Sequence, residues 1–215
     1  MENQKKNPIR WVPTTYFAMG LPFVMLSLVS PILFKDLGIP NEQVAFWTSL
    51  LILPWSLKPI LSVVMELYGT KRLYIVLTEL LSAIFFGLIV FSLPLPNFLT
   101  LSLALMGVVA LSGSTHDIAG DGMYMEQLDA DTQSLYSGWQ GAFYNLAKVL
   151  ANGGLIFLAG WLVNSQGMSV VASWQLILSL CALILGLVGL YHLYALPKDL
   201  KKQTEGSFSE KSKEL

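Results

Sequence analysis

Six apolar runs, each long enough to cross the roughly 30 Å hydrocarbon core of a bilayer as a helix, fill most of this 215-residue chain, with short connections between them. They extend from Val12 to Phe34, Val44 to Met65, Leu73 to Leu93, Phe98 to Tyr124, Trp139 to Val163 and Trp174 to Tyr194. The fold class expected is an all-α membrane protein, a bundle of six transmembrane helices. Composition agrees, because 54% hydrophobic and 13% charged residues leave too little polar surface for a water-soluble domain. A formal net charge of −1 gives no reason to expect a nucleic-acid partner. The single cysteine, Cys181, excludes an intramolecular disulfide. The first run is too long for a removable signal peptide and has no small-residue cleavage site after it. The organisation expected is an N-terminus at residues 1–11, the bundle at 12–194, and a polar tail or truncated central linker at 195–215.

Orientation follows from the cations. With the N-terminus inside, the cytoplasmic loops and ends hold Lys5, Lys6, Arg10, Lys71, Arg72, Lys198, Lys201, Lys202, Lys211 and Lys213, and the outside holds Lys35. Both termini are therefore expected in the cytoplasm. Trp11, Trp47, Tyr74, Trp139, Trp161, Trp174 and Tyr194 fall near helix ends, where amphipathic rings favour the headgroup region.

Lys58, Glu79, Asp117 and Lys148 fall inside the apolar runs. A charge at mid-bilayer costs roughly 2.5 to 3.5 kcal/mol on the insertion scale, so these residues should face one another or water. Counting along each helix puts Lys58 and Glu79 at similar depth, and likewise Asp117 and Lys148. The pairs expected are Lys58 with Glu79 and Asp117 with Lys148, either as staples of the bundle or as part of a solute or proton pathway.

The stretch "SGSTHDIAGDGMYMEQL" places Asp117 and Asp121 four residues apart, on one face of the fourth helix. His116 turns about 100° away from them. Such a face suits a water-filled cavity entrance, a proton-binding carboxylate or a latch between helix ends. A metal site is disfavoured, because no second histidine or cysteine stands nearby. In the fifth helix, Tyr144, Asn145, Lys148 and Asn152 occupy positions that can line a polar path, and Ala147 and Ala151 allow close helix approach. Gly20, Pro22, Pro31, Pro54 and Pro59 allow kinks in the first two helices.

The segment "LPWSLKPILSVVMELYGTKR" resembles the second helix and following loop of the major facilitator superfamily, in the peptide, acetyl-coenzyme A and drug transporter branch that includes bacterial muropeptide permeases. Leu53, Pro54, Lys58, Glu66, Tyr68, Gly69, Lys71 and Arg72 carry that likeness, and "DIAGDG" is similar to the branch's element at the end of the fourth helix. Family members place an aspartate where Glu66 stands. The resemblance covers residues 11–195 and implies the N-terminal six-helix half of a secondary transporter. It also implies a small polar solute, such as a muropeptide-like sugar-peptide or an acyl-coenzyme A, with proton coupling as an option and no cofactor. Glu66, Gly69, Lys71 and Arg72 would form a gating loop, and the partners implied are the lipid bilayer, the solute and a second six-helix half. Two other classes compete with this reading. One is a non-transporting truncated or interaction subunit. The other is an intramembrane serine protease using Ser112 or Ser114 with His192, for which the Gly-x-Ser-Gly motif is lacking.

Overall fold

The computed structural model describes residues 6–198, and its regular elements there are all helical. We number the spans α1 (Pro8–Asp36), α2 (Asn41–Ser56 with Lys58–Leu67), α3 (Lys71–Ser92), α4 (Phe98–Gln127), α5 (Ala130–Asn164) and α6 (Val170–Ala195). Five are long and apolar enough to cross a membrane unbroken. The sixth, α2, qualifies as a bent pair. The chain is thus an all-α membrane helix bundle.

A kink that the sequence allowed is realised in α2, and α5 starts well before its expected first residue. The helix expected from Val44 to Met65 bends by 46° between its two segments. Pro54 and Pro59 have no N–H for the carbonyls of Leu50 and Trp55, and their rings crowd those carbonyls, so the ladder breaks between them. The fifth helix begins at Ala130, nine residues before the expected Trp139. Asp129 explains the early start: its carboxylate accepts from Thr132 N at 2.9 Å and caps the helix.

The most buried span is α1, with 67% of its apolar window inside the bundle, against 28% for α5. It packs along α5 and α4; α4 lies against α3, and α3 against α6, while α2 rests on α4 and on α1. The α1–α5 crossing is tight at Gly20, where a Cβ would stand 2.8 Å from the Tyr144 carbonyl oxygen. Both helices widen into π-helical turns, Met25–Val29 in α1 and Val149–Leu155 in α5, and these turns touch. In α1 the wide turn relieves the clash that the Pro31 ring would otherwise make with the Ser27 carbonyl.

One apolar core gathers around Leu21, Leu26, Phe86, Ile89, Val109 and Ile177. A second, at the end bearing the chain's first and last described residues, includes Trp11, Tyr16, Met123 and Leu196. Two expectations change there. Trp11 is fully buried rather than interfacial, and Leu196, the first residue after α6, is buried rather than part of a solvated tail. Gln127 also donates to the Lys198 carbonyl at 3.1 Å. Residues 199–215, most of the expected tail or linker, and residues 1–5 lie outside the described range.

Candidate functional site

α1, α2, α4 and α5 meet around one side of α4 on which Lys58 is about one-third exposed and Asp121 is exposed, here called the open face. Along α4, Gly113, Asp117 and Asp121 recur every four residues and so share one side. Gly113 receives the ring of Trp55 from α2; a Cβ there would stand 2.9 Å from that ring. One turn on, the Trp55 indole N–H donates to Asp117 Oδ2 at 2.9 Å. The Trp55 ring also meets Phe23 of α1 edge-on, with centroids 5.1 Å apart. Trp55 is therefore clamped between α1 and α4, and it fixes where the bent α2 delivers Lys58. Lys58 Nζ lies 2.7 Å from Asp117 Oδ2.

That contact corrects both expected ion pairs: Lys58 pairs with Asp117, not Glu79. Lys148 makes no ion pair with Asp117 and instead stands over the Tyr144 ring, 5.7 Å from its centroid. Depth was similar for all four charges, but depth along a helix says nothing of the direction in which a side chain points around the bundle. Asp117 Oδ1 is buried without a partner, and Lys58 is about one-third exposed on the open face.

Asp121 is exposed and accepts from Tyr16 OH at 2.9 Å, while Gln140 Nε2 donates to the same hydroxyl at 2.5 Å. One hydroxyl thus joins α1, α4 and α5. Tyr144 and Lys148 are half-buried, and Asn145 and Asn152 are exposed; the Asn145 amide donates to its own helix at Gly141 O, 2.8 Å away.

The loop after α2 turns at Gly69, whose φ of 83° favours glycine. Thr70 caps α3 by accepting from Leu73 N at 3.3 Å. Lys71 pairs with Glu126 at the end of α4, and its stem crosses α4 at Gly122, where a Cβ would meet Lys71 Cε at 2.5 Å. The Arg72 guanidinium donates to the Leu193 carbonyl in the last turn of α6. Both cations thus tie α3 to neighbours within the same six-helix unit. Glu66 sits in the last turn of α2.

A second charged centre lies inside the bundle. Glu79 of α3, only 1% exposed, faces His116 Nε2 of α4 at 3.0 Å and His192 Nδ1 of α6 at 2.8 Å. His192 is fully buried rather than snorkelling, and its Nε2 lies 2.7 Å from Thr14 Oγ1 of α1. Sequence reasoning missed this centre and the roles of Trp55, Tyr16, Gln140 and Thr14. The available signal was His116, set about 100° from Asp117 and therefore aimed at a different neighbour. Ser112 Oγ donates to the Thr78 carbonyl at 2.8 Å, and Ser114 Oγ to Leu111 O at 3.2 Å. His192 meets Glu79 and Thr14 rather than either serine, so the geometry gives no support to a protease dyad.

A family model described as Major Facilitator Superfamily matches residues 14–214. No solved structure matches the chain.

Proposed function

Because the chain belongs to the major facilitator superfamily, a family of membrane transporters, we propose that its six helices form the N-terminal half of a secondary active transporter that works by alternating access. The observation that carries this reading is the Lys58–Asp117 pair on the open face. Ionisable groups facing lipid are costly, so a face carrying Lys58, Asp117, Asp121 and Lys148 calls for a polar cavity. A second six-helix unit, related by an axis along the membrane normal, would enclose it at mid-membrane.

The solute in this reading is small and polar, a muropeptide-like sugar-peptide or an acyl-coenzyme A, following the branch resemblance of "LPWSLK" and "DIAGDG". Both classes carry anionic groups, and Lys148, with the Tyr144 ring as its seat, is placed to receive one. Asp117 Oδ1, lacking a donor, would accept an N–H or O–H of the solute. The membrane is the inner membrane, with both termini cytoplasmic. Lys71 and Arg72 gate by holding the ends of α3, α4 and α6 together.

Uptake of labelled muropeptide into vesicles, with this unit alone and with a second six-helix half, tests the reading. Uptake that requires the second half and is lost in Asp117→Asn is expected. Efficient uptake by the unit alone, with symmetric self-crosslinks between α2 and α5, would replace the two-half arrangement with a homodimer. Absence of uptake in both arms would favour a non-transporting interaction subunit.

A further inference from the structure

We infer that Glu79, His116 and His192 form a proton-binding site inside the six-helix unit, whose resident proton is held as the His192 imidazolium and fastens α6 to α1, α3 and α4. The assignment rests on counting hydrogens over the observed contacts and is independent of the transport reading.

Glu79 is 1% exposed, and an ionised carboxylate there must be met by donors. The nitrogens that meet it are His116 Nε2, 3.0 Å from Oε1, and His192 Nδ1, 2.8 and 2.9 Å from the two oxygens. Each supplies one N–H. The remaining nitrogen of His116, Nδ1, is buried with no partner, so a second proton on that ring would have no acceptor and His116 stays neutral. The remaining nitrogen of His192 has a partner, the Thr14 hydroxyl at 2.7 Å.

Thr14 decides between the two states of His192. Its hydroxyl has one hydrogen and two candidate acceptors: His192 Nε2, and the Trp11 carbonyl 3.2 Å away. If His192 were neutral with its hydrogen on Nδ1, Thr14 would donate to Nε2, the bond to Trp11 would be lost, and the centre would carry the uncompensated negative charge of the buried Glu79 carboxylate. If His192 is charged, Nε2–H donates to Thr14, Thr14 donates to Trp11, and Nδ1–H donates to Glu79. A neutral ring with its hydrogen on Nε2 would need a protonated Glu79 donating to Nδ1, which sets the other carboxyl oxygen against the Nδ1 lone pair; in the charged form Nδ1–H meets both oxygens, at 2.8 and 2.9 Å, and the buried centre is neutral.

The other charged groups near the centre are accounted for. Behind His116 on α4 stands Asp117, already paired with Lys58 of α2. On α3, Arg72 is engaged with the Leu193 carbonyl, and Lys71 with Glu126 of α4. From α1 the contact is Thr14, and beside His192 on α6 stands Tyr191, whose hydroxyl donates to the Arg10 carbonyl at 2.6 Å. Glu79 is therefore the carboxylate in contact with His192. Proton loss would turn the Thr14 hydroxyl from Trp11 to His192 and remove the charge that holds α6 to α3.

Nitrogen NMR of the full chain, labelled at histidine and held in lipid vesicles near neutral pH, tests the site. Two protonated nitrogens on His192 and one on His116 are expected. In Glu79→Gln, His192 should revert to a single protonated nitrogen, whereas Thr14→Ser should keep both. A neutral His192 in the wild-type protein would overturn the proposal, and so would a charged His192 that survives Glu79→Gln. Thermal unfolding gives an independent arm: His192→Gln and Glu79→Gln should each lower the midpoint more than the double variant does. Additive losses would show that no charge is shared between the two residues.

Discussion

His116 and Asp117 are consecutive residues of α4 that serve different charged centres. His116 Nε2 meets Glu79 inside the bundle at 3.0 Å, and Asp117 Oδ2 meets Lys58 on the open face at 2.7 Å. A rotation of about 100° per residue separates a contact inside the bundle from one on the open face. The two centres should therefore respond to mutation separately, although they adjoin in sequence.

The Lys58–Asp117 pair should appear in a double-mutant cycle. Lys58→Ala leaves the buried Asp117 carboxylate unpaired and is expected to cost about 1 to 3 kcal/mol, less than the 3 to 5 of a fully buried pair because Lys58 is partly solvated. Asp117→Asn in the same chain should recover part of that loss, while Lys58→Ala with Glu79→Ala should be additive. Unfolding in lipid or mild detergent provides the measurement, and coupling between Lys58 and Glu79 would contradict the geometry.

Gly20→Ala should separate α1 from α5. The new Cβ would stand 2.8 Å from the Tyr144 carbonyl and 3.1 Å from Ala147 Cβ, and neither is a flexible group that can swing aside. Overpacking of this kind costs about 1 to 3 kcal/mol. A lowered unfolding midpoint, with slower crosslinking between cysteines placed at Phe17 and Gln140, is the expected result.

Tyr16→Phe removes the hydroxyl that donates to Asp121 and accepts from Gln140. A net loss of about 1 to 2 kcal/mol is expected from the two contacts, because both partners remain near water and can rehydrate. Tyr16→Phe and Asp121→Asn together should lose little more than either alone. Full additivity in the unfolding midpoint would mean that the three-helix junction is not a unit.

Gly122→Ala should act on Lys71 rather than on the helix. Its Cβ would displace the Lys71 stem, which is flexible, so stability should change by less than about 1 kcal/mol while the Lys71–Glu126 contact is disturbed. If that contact gates, solute uptake should change more than the unfolding midpoint does. Unchanged uptake would remove Lys71 from the gating assignment.

Topology can be checked with a reagent confined to the outside. Cysteines at Pro40 or Gln166 should be modified, and those at Thr70 or Thr132 spared, as the ten cations of one side against Lys35 of the other require. Cys181 is buried and should add little background. The reverse labelling pattern would invert the orientation.

Helix count, helix type and the approximate span of each crossing were legible in the amino-acid sequence, because burying a backbone in hydrocarbon demands long apolar helices whatever their neighbours are. The break in α2 was visible as Pro54 and Pro59, though not its angle. The face shared by Asp117 and Asp121 was also legible, since helical periodicity alone places them there. The partners were not. Lys58, Glu79, Asp117 and Lys148 can be ranked by depth from the sequence, but a partner also depends on the rotation of each helix about its axis and on which helices adjoin. The packing of α4 between α2 and α3 sends Asp117 to Lys58 and His116 to Glu79. His192, close to α6's end and readable as interfacial, became the most deeply buried ionisable side chain of its centre because α3 and α1 close over it. Local periodicity determines which side of its own helix a residue occupies, and only the assembled bundle decides what stands opposite.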